Sequence, residues 1–335
     1  MNKVPYLIIL IVLLFTACID DESILIDIPP AVNTESVYTV IKEENIVYAE
    51  GLSYNETTNS NSAIPLKLDI YYPDNTSTNR PVYMFIHGGG FIGGSKSSPK
   101  IVDMANYYAS RGWVFVSIDY RLTENLGTNY TGISPEEWVN FAQQNASSSQ
   151  QIKQGIAMYA AQRDAKAALR WIVANSIDYN INTDYVSVGG GSAGAITAIT
   201  LGISNNEDFR DEITLSEDPT LLSTNLNQTY TVRTMIYLWG SNIKLEVFES
   251  VYGFNRYDAN DPELFMAHGT NDQNPSTPFS EATELQSIFD SLGVHNELIP
   301  LVGEQHGAWN ATVEGKGLSE LSFNFLVDRQ NLTLE

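Results

Sequence analysis

Cysteine is almost absent: Cys18 stands alone, so no intrachain disulfide framework and no cysteine-based zinc centre can form. Basic residues are scarce too, with 18 Lys+Arg against 40 Asp+Glu and a formal net charge of −22. That deficit argues against nucleic acid as a partner, because backbone affinity comes from Lys and Arg neutralising phosphates. It disfavours anionic membrane surfaces for the same reason, and otherwise says only that the surface is well solvated. Charged residues amount to 17% while hydrophobic residues reach 43% and aromatics 11%, which excludes a disordered polyelectrolyte and allows a sizeable core. No apolar run approaches the ~20 residues that span a bilayer as a helix. With 335 residues and no internal repeat or linker beyond residue 37, one large α/β domain is the better count.

What is present begins with a targeting segment. A basic start at Lys3 precedes a nearly unbroken apolar run over residues 4–17, which reads as the core of a secretory signal. The run ends at Phe15-Thr16-Ala17-Cys18. This resembles a bacterial lipobox, in which small residues precede the cysteine that is lipidated and becomes the mature N-terminus. An ordinary cleaved signal with an incidental cysteine is the alternative. The expected division is a signal peptide at 1–17, an acidic tether at 18–36 opening with Ile19-Asp20-Asp21-Glu22, and a catalytic domain at 37–335. Acidic residues after such a cysteine resemble surface-export signals of some Bacteroidetes lipoproteins. The location expected is the cell envelope, at the outer membrane or cell surface, with the membrane touched only through the N-terminal lipid.

Along the mature chain, strand and helix patterns alternate. Period-two alternation at 38–54 and 65–72 predicts antiparallel strands around the polar stretch 55–62. Short apolar runs at 82–86, 113–120 and 185–188 predict buried strands, and further strands are expected at 232–238, 264–268 and 296–301. Helical spacing is seen at 101–111, 163–174, 281–292 and 318–329, and a small-residue helix at 195–201. Repeated β-then-α order implies an α/β fold: a mostly parallel central sheet covered by helices on both faces. Two insertions break the rhythm, near 122–162 and 242–261. Both leave from strand carboxyl ends, where ligands sit in open α/β sheets, so they either shape a site or decorate the surface.

The chemistry is concentrated in four short segments. Gly190-Gly191-Ser192-Ala193-Gly194 fits G-x-S-x-G between a strand and a helix, the context in which a strained turn exposes a nucleophilic serine. His87-Gly88-Gly89-Gly90-Phe91 follows another strand, and its glycines leave N–H groups free to meet a developing oxyanion. Asp272 follows the strand at 264–268, where a carboxylate can hold a histidine in the correct tautomer. His306 lies in the loop after the last strand, which completes the order Ser192, Asp272, His306. Only four histidines exist. His87 is expected to brace the glycine loop, His268 to be a structural neighbour of Asp272, and His295 to be exposed. That leaves His306 as the base. Glu304 is too close to His306 in sequence to orient its ring, Asp261 is expected to open a strand, and Asp119 to anchor one.

Residues 65–329 resemble an α/β-hydrolase fold esterase, of the HGGG-bearing hormone-sensitive-lipase-like and Bacteroidetes feruloyl-esterase-like (BD-FAE-like) groups. Supporting segments are Leu68-Asp69-Ile70-Tyr71-Tyr72-Pro73, Asp119-Tyr120-Arg121-Leu122 and the stretch from Asp164 to Trp171. The resemblance implies a serine carboxylesterase whose oxyanion donors are the amides of Gly89, Gly90 and Ala193. Too little chain precedes the first strand for an N-terminal helical cap, and Gly191 stands where many lipase-like enzymes carry an acid. Both features favour the feruloyl-esterase-like branch. The substrate implied is a small or polymer-attached ester, with no cofactor and no metal. Two other readings stand beside it: a serine peptidase resembling prolyl oligopeptidases, and a non-catalytic surface-binding protein on a hydrolase scaffold. The first lacks the propeller-sized domain, and the second has no need of three triad residues. Phe91 and Trp138 are candidate pocket residues. Trp138, with Tyr130, Phe141 and Tyr159, either walls a substrate pocket or anchors the 122–162 insertion to the core.

Overall fold

The computed structural model describes residues 28–253 and 255–335. The signal segment, Cys18 and the first part of the expected tether lie outside the described residues. The chain opens with β1 (Ala31–Val32), β2 (Val40–Asn55), β3 (Ser60–Pro73) and β4 (Arg80–Ile86), followed by α1 (Pro99–Ala109) and β5 (Val114–Ile118). Next come α2 (Glu136–Asn145), α3 (Ser149–Ala174), β6 (Ile181–Gly191), α4 (Ala193–Ile203) and β7 (Thr234–Leu238). The last part holds β8 (Glu263–Gly269), α5 (Phe279–Leu292), β9 (Asn296–Leu301), β10 (Thr312–Val313), β11 (Lys316–Gly317), α6 (Leu318–Arg329) and β12 (Thr333–Leu334).

The main sheet has eight strands in the order β2-β3-β5-β4-β6-β7-β8-β9. From β5 to β9 all neighbours are parallel, while β2 and β3 close one edge antiparallel. Interior strands read as continuous apolar runs because both faces are covered. In β4 every residue is buried, with Val82, Met84 and Ile86 facing α3, α4 and α5. Tyr83 and Phe85 face α1 and α6 in a second core rich in aromatic rings. The expected architecture of a parallel sheet between two helical layers is therefore the observed one.

Two stretches differ from the sequence reading. Helix α3 starts at Ser149, well before residue 163, with the Ser148 hydroxyl accepting the Gln151 amide as its N-cap. Its first turns face outward and carry Gln and Ser, so composition disguised a helix as loop. The 122–162 insertion is thus largely α2 and the first half of α3. Residues 204–233, where nothing was expected before the strand at 232–238, form a long connection containing one short helical turn at Pro219–Ser223, and that strand starts only at Thr234. Buried cations of α3 clamp this connection. Arg163 pairs with Asp218 at 3.2 Å, Arg170 donates to the Thr224 carbonyl at 2.7 Å, and Lys166 donates to the Asn205 carbonyl. On the same helix Asp164 receives Arg121 in a two-pronged pair, at 2.7 Å for the shortest contact.

The described part of the expected tether is bound to the domain. The Ile28 carbonyl accepts from Asn79 at 2.7 Å, Asn33 donates to the Arg111 carbonyl at 2.9 Å, and β1 pairs with β12 in parallel.

Candidate active site

Four segments that follow strand carboxyl ends meet above the sheet: His87–Phe91 after β4, Ser192 after β6, Asp272 after β8 and His306 after β9. The turn at Ser192 is sharp. Its φ of 55° and ψ of −120° lie where L-residues are rarely found, and α4 begins at the next residue. The chain passes this turn only because its flanks lack side chains. A Cβ on Gly190 would overlap the Gly194 carbonyl, and one on Gly194 would overlap the Ile86 carbonyl. The Ser192 amide donates to the Leu238 carbonyl at 2.9 Å, tying the turn to β7.

Ser192 Oγ lies 3.0 Å from His306 Nε2, and His306 Nδ1 lies 2.7 Å from Asp272 Oδ2. The Asp272 side chain is sequestered, whereas the His306 side chain keeps 29% exposure. With Nδ1–H donating to the carboxylate, Nε2 is left as the acceptor for the serine hydroxyl. The other carboxylate oxygen, Oδ1, accepts the Asn274 amide at 2.9 Å. Thr277 Oγ1 stands 3.1 Å from His306 Nδ1 and 3.5 Å from Asp272 Oδ2, so it bridges the pair.

The glycine loop lies against the serine: a Cβ placed on Gly88 would come within 3.2 Å of Ser192 Cβ. Gly89 and Gly90 have φ of 120° and 62°, and their amides donate to no backbone oxygen among the described residues. Ala193 occupies the first helical position of α4, where an N–H has no intrahelical partner. The loop's own His87 and two outside side chains, Tyr120 and Gln154, hold it. His87 stacks on Tyr120 with ring centroids 4.4 Å apart, and its Nδ1–H donates to the Gly88 carbonyl at 2.7 Å. Burial pushes the His87 pKa below the usual imidazole value, which keeps the ring neutral. Tyr120 donates to the His87 carbonyl at 2.8 Å, and Gln154 of α3 donates to the Gly90 carbonyl at 2.8 Å.

The BD-FAE family model matches residues 68–158 and 145–240, half of the sequence, including the glycine loop and Ser192. The chain belongs to the BD-FAE family. This BD-FAE chain is similar to the para-nitrobenzyl esterase of Bacillus subtilis (strain 168), 29% identical over 150 residues, 45% of this chain and 26% of the relative. It is similar also to carboxylesterase 1C of Rattus norvegicus, 33% identical over 168 residues, 50% of this chain and 26% of the relative. The matches therefore span about a quarter of these curated relatives. Among solved structures, Thermogutta terrifontis esterase 2 matches with a TM-score of 0.57 at 21% identity, covering 86% of this chain and 94% of that one. A truncated carbohydrate esterase from gut microbiota matches with a TM-score of 0.56 at 17% identity, covering 90% and 99%. The fold is the α/β-hydrolase fold.

Other residues singled out from the BD-FAE sequence take different places. The two candidate pocket residues are both buried. Trp138 is 1% exposed and donates its indole N–H to the Gly155 carbonyl at 2.7 Å, within a cluster of Tyr159, Phe209 and Phe248. It therefore anchors α2, as its amphipathic ring allows. Phe91 is buried with its ring edge-on to Tyr120, 6.2 Å between centroids, and its carbonyl accepts the Thr123 amide. His295 is exposed and stacks on Phe325, and Glu304 is exposed. Asp261 closes a turn by accepting the Asp258 amide, and burial raises its pKa to about 6. Asp119 accepts the Lys96 amide at 2.8 Å beside His87. Two contributors escaped the sequence reading, Gln154 and Thr277, while His268, expected as a structural neighbour of Asp272, lies 3.1 Å from its Oδ2. Polar residues in polar stretches carry no signal of the distant partner they will meet.

Proposed function

We propose that this chain is a serine carboxylic-ester hydrolase with Ser192 as nucleophile, His306 as base and Asp272 as its orienting carboxylate. The observation that carries this reading is the unbroken relay from Ser192 Oγ through His306 to Asp272, at 3.0 and 2.7 Å, on a serine at positive φ. His306 Nε2 takes the serine proton as Oγ attacks the ester carbonyl. The amides of Gly89, Gly90 and Ala193 receive the oxyanion, an interaction worth about 3–4 kcal/mol per donor in the transition state. Collapse breaks the ester C–O bond, and His306 returns its proton to the leaving alcohol. Water then attacks the acyl-enzyme with His306 again as base, releasing the acid and the free serine. The esterase names of the relatives support the same class of reaction. A fluorophosphonate probe should label the wild type and not Ser192→Ala, and hydrolysis of model esters should fall at least about a thousandfold in the variant. Labelling of Ser192→Ala at the wild-type rate would assign the nucleophile elsewhere.

Location belongs to the same proposal. Cys18 is the lipid-bearing residue of an envelope lipoprotein, and the acidic residues after it lead toward the domain. The chain enters the domain beside Asn79 and Arg111, which precede β4 and β5 at the strand starts. Ser192 and His306 lie beyond the carboxyl ends of the strands, at the other end of the sheet.

A further inference from the structure

Beyond the triad, a second imidazole touches the same carboxylate oxygen. His268, on β8, is fully buried, with Nε2 3.1 Å from Asp272 Oδ2 and 3.0 Å from the Thr277 carbonyl. A carbonyl oxygen only accepts, so the proton must sit on Nε2. Nδ1 is buried and has no hydrogen-bond partner among the described residues, which leaves no acceptor for a second proton. The titratable groups beside the ring are Asp272, His306 and Tyr237 on β7, whose ring centroid is 6.2 Å away. From α5 the facing group is the apolar ring of Phe279 at 5.9 Å. Burial pushes the His268 pKa down, against the opposing pull of the Thr277 carbonyl and Asp272, with a smaller downward push from His306.

We propose that His268 is a positioning residue for the triad: as the neutral Nε2–H tautomer it donates to Asp272 Oδ2 and holds that carboxylate for His306. The proposal rests on Ser192, His306 and Asp272 being a working triad. Asp272 then has both oxygens occupied, Oδ1 by the Asn274 amide and Oδ2 by two imidazoles and Thr277. The carboxylate cannot rotate without breaking several bonds at once. Its negative charge is also shared between His268 and His306. A carboxylate that loses the His268 donor concentrates its charge on His306 and favours the imidazolium, which is the wrong protonation state for a base.

The test uses the whole protein labelled with ¹⁵N-histidine, in which only four rings contribute signals. In the wild type, His268 should show a protonated Nε2 and a bare Nδ1 from about pH 5 to about pH 9. His268→Leu should raise the acid limb of kcat/KM, and the midpoint of the His306 ring signals, by about half a pH unit. Its kcat should fall about tenfold at nearly constant KM. His268→Gln keeps a side-chain N–H and should restore both the limb and most of the rate. A proton on Nδ1, a charged His268 in this range, or a Gln variant with a displaced limb would overturn the proposal. So would a Leu variant whose melting temperature falls while limb and midpoint stay put, since that describes packing alone. The ring signals decide the matter without turnover. A wild type that hydrolyses no ester, with the His306 midpoint still displaced in His268→Leu, would overturn the esterase reading and spare this one.

Discussion

Replacing Trp138 by alanine tests whether the 122–162 region sets substrate choice or only holds itself to the domain. The indole is 1% exposed and meets Tyr159, Phe209 and Phe248 edge-on at 5.5, 5.8 and 6.3 Å. These rings belong to α3, to the 204–233 connection and to the helical turn at Phe248–Tyr252, so one side chain joins three segments to α2. Truncating a buried tryptophan costs about 3–5 kcal/mol, the lost transfer energy plus the cavity it leaves. In a domain of this size that lowers the melting temperature by about 5–10 °C. Trp138→Phe keeps a ring but loses the N–H donated to Gly155 at 2.7 Å, a smaller loss of about 1–2 kcal/mol. The assay pairs thermal melts with rates on acetyl, aliphatic and aromatic esters. As an anchor, Trp138 should leave the ratios of these rates within about twofold, whereas removing a pocket wall shifts them tenfold or more. Changed ratios at an unchanged melting temperature would refute the anchor assignment.

Gln154→Ala removes the donor to the Gly90 carbonyl and should lower kcat by about tenfold with little change in KM or in melting temperature, because a looser oxyanion loop costs the transition state most. Stopped assays on one activated ester, with a melt on the same sample, check this; an unchanged kcat would remove Gln154 from the loop's support. Lys166 is buried, and burial lowers its pKa to about 7. The unfolded chain therefore binds more protons between about pH 7 and about pH 10. Wild-type stability should gain up to one proton's worth of slope over that window, a gain missing in Lys166→Met, as urea titrations across the pH range would show. Cys18→Ser should move the protein from the membrane fraction to the soluble one on cell fractionation; a wild type already soluble would remove the lipid anchor.

What the sequence by itself determined is the part of the site whose geometry is local. Ser192 was legible because strand, glycines and small-residue helix are neighbours in the chain, and that turn is built from its own few residues. The strand periodicities and the β-then-α order sufficed for a parallel sheet between helices, since each follows from short-range patterning of apolar residues. His306 followed from the scarcity of histidine and from chain order. Tertiary structure decided everything whose partner lies far away. The cations Arg163, Lys166 and Arg170 look like a solvated helix face until residues 204–233 fold over them. Trp138 had two open roles, and only the packing of Phe209 and Phe248 around it chose one. Thr277 stands only five residues from Asp272, but its contact with His306, 29 residues away, came from the packing of the loop after β8 against the loop after β9. Hydrogen bonds and ion pairs form between groups whose separation the fold sets, so a polar residue's sequence neighbours do not name its partner.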